Sequence, residues 1–249
     1  SPTAWPLPDS RLTNSSVLST IGVDIKSSKN DNPLFPTRGY NLSINFEETN
    51  GIPQILSNLS VLKSDDPSFY KGLITFASYL SLGNNKNTII AQKFKVGYLQ
   101  AYYGESRDIP SARKFFGGGS NSIRGWRSLE LGPVQVFNNQ LDSLVNNSYI
   151  YSGGNMLLEG STELRQRFLE NFGISIFLDY GNAFEGYSNV SLNQIAVTSG
   201  IGFRYYTAIA PFRIDFGFKA YDPYDNTPFF RRKLFDVMEF HFGIGEAFW

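Results

Sequence analysis

The chain contains no cysteine, which excludes disulfide scaffolds and thiolate metal sites. Its single histidine is His241, so neither a histidine-centred catalytic triad nor a multi-histidine metal site can be assembled. An excess of either charge is missing too. Twenty-two basic residues balance 22 acidic ones, which removes the electrostatic reason to expect a nucleic-acid partner. No apolar run reaches the roughly 18 residues of a transmembrane helix, and the mean hydropathy is −0.22. A membrane protein built of strands is not excluded by this, because alternating strands average out in a sliding window. Ser1 to Ser10 hold three prolines and no basic stretch leading into an apolar one. No secretory signal is visible there, and an exported protein starting this way is expected to have lost its N-terminal part.

What is abundant is aromatic: 22 Phe and 14 Tyr, beside 23 Gly. Aromatics favour strands, and glycine marks turns, bulges and close backbone approach. Helical periodicity is almost absent, while period-two alternation recurs. Phe212, Ile214, Phe216, Phe218 and Ala220 share one face against Arg213, Asp215, Gly217 and Lys219. Phe172, Ile174, Ile176, Leu178 and Tyr180 oppose Gly173, Ser175, Phe177, Asp179 and Gly181. In 160–168, Thr162, Leu164 and Phe168 oppose Ser161, Glu163, Arg165 and Arg167. Further strands are read near 17–26, 38–48, 73–83, 93–103, 200–208 and 238–249, nine in all.

Connections at 31–37, 84–87, 169–171 and 208–211 are short; those at 50–70, 104–155, 185–197 and 222–237 are long. Short turns on one side and long loops on the other characterise outer-membrane barrels. A soluble sandwich also alternates, with its apolar face turned to a core. Three features favour the membrane: polar faces carrying Glu163, Arg165 and Arg167, the regular loop asymmetry, and aromatics at strand ends. The last are Tyr102–Tyr103, Tyr205–Tyr206 and Phe248–Trp249, where interfacial girdles would lie. The expected fold is an all-β, transmembrane antiparallel barrel.

The long connection carries Phe115-Phe116-Gly117-Gly118-Gly119-Ser120-Asn121-Ser122-Ile123-Arg124-Gly125-Trp126, then Leu131-Gly132-Pro133. This resembles the long-loop motif of the BamA/TamA outer-membrane assembly family, a Val/Ile-Arg-Gly-aromatic core between a Gly-Gly stretch and a Gly-Pro. Three further matches follow in order. Gly160-Ser161-Thr162-Glu163-Leu164 resembles the family's glutamate-bearing strand. Phe177-Leu178-Asp179-Tyr180-Gly181 is similar to its Phe-x-Asp-x-Gly strand. Phe240-His241-Phe242-Gly243-Ile244-Gly245 through Trp249 resembles its C-terminal targeting strand.

The resemblance implies that these are the last nine of sixteen strands, spanning 1–249 with a lumen-folding loop at about 104–155. The first seven strands and the periplasmic POTRA domains would lie outside this chain. It also implies that Arg124 contacts Glu163 and Asp179, and parity alone already puts both carboxylates on a polar face. Arginine suits such a latch because its planar fork holds two acceptors and does not lose its proton. Gly125 would permit a tight turn and Trp126 would pack on the wall, with Gly118, Gly119, Ser122 and Ile123 completing the motif and Phe177 and Gly181 that of the strand. The alternative for Arg124 is a solvated arginine after a flexible glycine stretch. Phe240, Phe242, Ile244 and Phe248 would touch lipid, with Trp249 at the boundary. Gly243 and Gly245 would weaken a seam able to open sideways, or this is an ordinary terminal strand.

The function implied is insertion or translocation of proteins at the bacterial outer membrane, without catalysis, cofactor or metal. Partners would be membrane lipids, client outer-membrane or exported proteins, accessory lipoproteins or periplasmic proteins, and the rest of its own barrel. A passive porin-like or substrate-binding barrel is the alternative, and a barrel-anchored enzyme a third class. Gly117 to Gly119 lacks the Gly-Lys-Ser/Thr of a phosphate loop. A Glu and an Asp beside an Arg read as an ion-pair cluster rather than an acid/base pair.

Overall fold

The computed structural model describes residues 18–52, 55, 66–83, 86–137, 148–169, 171–225, 227 and 231–248. Nine strands form one antiparallel meander: β1 (Thr20–Asn30), β2 (Gly39–Thr49), β3 (Ser68–Leu82), β4 (Thr88–Tyr103), β7 (Met156–Arg167), β8 (Phe172–Phe184), β9 (Ala196–Tyr206), β10 (Pro211–Tyr221) and β11 (Met238–Ile244). The two-stranded ribbon of β5 (Val134–Phe137) and β6 (Ser148–Tyr151) lies inside the long loop, where no strand is expected from the sequence. Among the described residues, β1 and β11 each pair on one side only. The sheet curls enough to bring the β1–β2 turn to the end of β9, with the Phe35 ring edge-on to Tyr206 at 5.2 Å.

The two faces decide which solvent each meets. Outward residues Ile176, Phe203, Phe212, Phe240 and Phe242 are exposed, while inward Arg204, Arg213, Asp215, Glu163 and Asp179 are buried. This is a soluble sandwich turned inside out. In water, a bare aromatic wall loses about 25 cal/mol for each Å² of apolar surface left uncovered; in hydrocarbon it loses nothing, which fits a lipid-facing wall. Aromatics gather at both rims of that wall. Phe46, Tyr70 and Tyr102 stack near the long-loop rim, with ring centroids 5.9 and 4.5 Å apart. Phe172 and Tyr205, 5.0 Å apart, lie near the tight-turn rim. Amphipathic rings suit the interfaces there.

The tight turns are closed by their own polar groups. In the β1–β2 turn, Asp31 accepts backbone N–H bonds from Thr37 at 2.8 Å and Arg38 at 3.0 Å. Burial pushes this carboxyl up, but those bonds, together with one from the Thr37 hydroxyl, outweigh it and bring it down to about 2. A carboxyl so depressed stabilises the fold above its ordinary value of 3.8, and that contribution is lost as pH falls toward 2. Asp31→Asn should therefore melt below the parent at neutral pH, and the gap should close as both are acidified. A gap unchanged across that range would show that the carboxylate's charge does not hold the turn.

The last strand differs from expectation. β11 stops at Ile244 rather than running to the end of the chain. Gly245 takes φ +90, a conformation glycine adopts without steric penalty, and turns the chain inward. Phe248 is consequently 2% exposed. Its ring lies 4.9 Å from the Arg165 guanidinium and 5.1 Å from Lys93 Nζ, and 6.5 Å from the Tyr79 ring. The expectation that Phe248 touches lipid is corrected: alternation holds only while the strand continues, and a left-handed glycine ends it. Phe240, Phe242 and Ile244 do face outward, while Trp249 lies outside the described residues. Gly243 has a local reason as well. A Cβ there would sit 2.6 Å from Arg213 Nη2, so the missing side chain makes room for that guanidinium.

Candidate functional site

The site is the tip of the long loop, seated on the concave face of the sheet. Two bridges, Phe115 to Gly154 and Gly117 to Leu131, narrow the loop to a neck. Gly118 and Gly119 then take φ +93 and +102, and a Cβ on Gly118 would lie 2.3 Å from the Arg127 carbonyl oxygen. The tip is closed by Gly119 N–H donating to Trp126 O at 2.9 Å and Trp126 N–H to Ile123 O at 3.2 Å. Ser122 supports it from within: its hydroxyl accepts from Gly118 N–H at 3.0 Å and bonds Glu159 on β7. Ile123, Trp126 and Leu131 bury together against Ala196 of β9, and Lys219 Nζ sits 5.2 Å above the Trp126 ring.

This packing delivers Arg124 to the wall, 1% exposed. Its Nε and Nη2 hold Asp179 of β8 side-on at 2.8 and 2.7 Å, while Nη1 reaches Glu163 of β7 at 2.5 Å. The Arg124 backbone N–H adds a bond to Asp179 at 3.1 Å. β7 and β8 are adjacent, with Ser161 opposite Asp179 and Glu163 opposite Phe177. One guanidinium therefore spans both acids, and its Cζ lies 3.4 Å from the Phe177 ring centre, a cation–π contact made while the planar fork keeps its carboxylates. Ser161 completes the shell by donating to Asp179 at 2.6 Å.

Gly125 serves close approach rather than a left-handed turn, since its φ is not positive. Its N–H donates to Thr198 Oγ1 on β9 at 3.0 Å, and a Cβ would come within 2.3 Å of that oxygen. From β10, Gly217 plays the matching part, where a Cβ would meet Arg124 O at 2.2 Å.

With this geometry in view, the comparison with known proteins is direct. Residues 3–248 match the Omp85 superfamily domain. The chain belongs to the Omp85 superfamily. Outer membrane protein assembly factor BamA of Neisseria meningitidis serogroup B is 26% identical to it over 163 residues, covering 64% of this chain and 18% of that protein. The crystal structure of BamA from Haemophilus ducreyi lacking POTRA domains 1–3 shares the fold at a TM-score of 0.65 and 18% identity. That match covers 90% of this chain and 41% of the other. The chain thus spans about a fifth of the length of its curated relative and two-fifths of the solved one. As an Omp85 barrel it is a bacterial outer-membrane protein, and its aromatic wall faces that membrane.

In this Omp85 chain the cluster around Arg124 is larger than the motif alone indicates. Arg204 of β9 reaches Glu163 at 3.3 Å and Asp215 of β10 at 3.1 Å. Arg165 bonds Glu163 at 2.7 Å and lies 3.4 Å from Glu246. Arg213 contacts Asp215 at 3.2 Å. Arg124, Arg165, Arg204 and Arg213 thus face Glu163, Asp179, Asp215 and Glu246, four charges of each sign. Parity in β10 already places Arg213 and Asp215 on a polar face, and Arg204 could have been found by extending the argument to β9. Glu246 could not, because its position depends on the inward turn at Gly245.

A second set of contacts holds the loop at the long-loop rim. The Tyr224 hydroxyl donates to Gly132 O at 2.8 Å and lies 3.1 Å from Asn182 Nδ2. Burial raises this phenol above its ordinary value. Asn121 is fixed lower down, its carbonyl accepting from Lys93 Nζ at 2.7 Å and its side-chain oxygen from Arg213 at 2.8 Å.

Proposed function

We propose that this chain is the C-terminal part of an outer-membrane assembly barrel, with Arg124 as an internal latch and β11 as the yielding strand of a seam. Among the described residues, β1 and β11 each leave a row of backbone groups unpaired, and hydrocarbon offers such groups no partner. Further strands, sixteen in total, would close the wall, and POTRA domains would precede them. The role is insertion or translocation of client proteins by strand pairing at the seam, which trades unsatisfied backbone groups for ladder hydrogen bonds. It calls for no cofactor and no catalytic group. Clients, outer-membrane lipids and accessory lipoproteins are the proposed partners.

The observation that carries this reading is the seating of the loop. A buried arginine binding two carboxylates across adjacent strands braces the wall beside a short, one-sided terminal strand. A loop anchored through the lumen occupies the space that a wide passive pore would keep open. Depleting the full-length protein from cells should stall the folding of outer-membrane barrel clients, read as loss of their heat-modifiable forms. Normal client assembly with a loss of solute flux would instead make the protein a pore.

A further inference from the structure

His241 takes no part in the ion-pair cluster. β11 turns Phe240, Phe242 and Ile244 outward, so alternation sends Glu239 and His241 into the lumen. There His241 Nε2 lies 2.9 Å from the backbone oxygen of Arg124, and Glu239 lies 3.3 Å from Arg127 Nε. Arg124 therefore reaches in two directions. Its guanidinium binds β7 and β8, while its carbonyl points to the opposite end of the sheet, pressed on Gly217 of β10 and facing β11.

That carbonyl belongs to a residue 1% exposed, and a buried backbone oxygen calls for a donor. Among the described residues, His241 is the only hydrogen-bond partner found for it. Facing a carbonyl, Nε2 must carry the hydrogen, which fixes the ring's role as donor. The strand it holds is the shortest of the sheet, seven residues, and among the described residues it pairs with β10 alone.

We propose that His241, seconded by Glu239, is a clasp tying the terminal strand to the seated loop, so that β11 frees itself only when the loop lets go. This rests on the reading of β11 as the strand that yields. It adds a specific link between that strand and the loop tip, made by two residues outside the latch. His241 and Glu239 are positioning residues: they act on the strand through the loop, not on a client.

The test is hydrogen exchange of the full-length protein in lipid bilayers, resolved by segment. Removing both contacts with His241→Phe and Glu239→Ala should speed exchange of the β11 amides by about tenfold, the scale of one hydrogen bond plus one partly exposed ion pair. Exchange in β7 and β8, and protease resistance of the loop, should stay at parent levels. His241→Gln, whose amide N–H can replace the ring donor, should stay close to the parent. Should the double variant misfold, each single change must still show a smaller rise confined to β11. Unchanged β11 exchange would overturn the clasp. So would a parallel rise in β7 and β8, since the contacts would then only help seat the loop in general. Faster β11 exchange in the variant, together with normal client assembly when the protein is depleted from cells, would uphold the clasp and sink the assembly reading instead.

Discussion

Arg124→Ala should release the loop tip from the wall at a loss of about 3–5 kcal/mol, the usual range when one partner of a buried ion pair is deleted. The size follows from what remains behind. Glu163 and Asp179 are both fully buried, and their guanidinium would be replaced by a cavity. Arg124→Lys should recover only part of the loss, because an ammonium cannot hold Asp179 side-on, reach Glu163 and stack on Phe177 at once. The measurements are protease cleavage within the loop of the folded full-length protein and the temperature at which its heat-modifiable form is lost. Parent-like resistance and melting in Arg124→Ala would mean that the loop is held by its apolar contacts alone.

Glu163→Ala is expected to cost at least as much. Glu163 receives Arg124 at 2.5 Å, Arg165 at 2.7 Å and Arg204 at 3.3 Å. Its removal leaves three buried guanidinium groups crowded together with one carboxylate fewer. Like charges this close repel strongly where water is excluded. Glu163→Gln should fall between, keeping one acceptor oxygen but not the charge. The pair Arg124→Ala and Glu163→Ala together should cost clearly less than the sum of the two, since each change relieves the uncompensated charge the other creates. Additive losses would argue that the four-by-four cluster is a set of independent pairs.

Much of this was readable in the chain. All nine strands of the sheet were visible as alternation, and each observed strand overlaps its expected position. Parity places Phe177, Glu163 and Asp179 on one face of their strands, because side chains of a strand must alternate. The β5–β6 ribbon was not visible. It lies in a stretch whose pairing is decided by the neck of the loop rather than by local pattern. The turn at Gly245 was hidden as well. Glycine permits both an extended strand and a left-handed bend, so Gly243 and Gly245 read alike in sequence yet behave differently.

The strands and the parity of their two faces are legible in the sequence alone. These depend on composition and period-two spacing, which are local. Only the tertiary structure decided that Arg124 meets Asp179 side-on and Glu163 end-on, that Arg204 and Asp215 extend the cluster, and that Phe248 turns inward. The Arg124 contacts join residues 39 and 55 positions apart, and the inward turn of the chain end brings Ala247 O to Lys93, 154 positions away. Such distances are set by the curl of the sheet and the depth of the loop, and no local pattern encodes either.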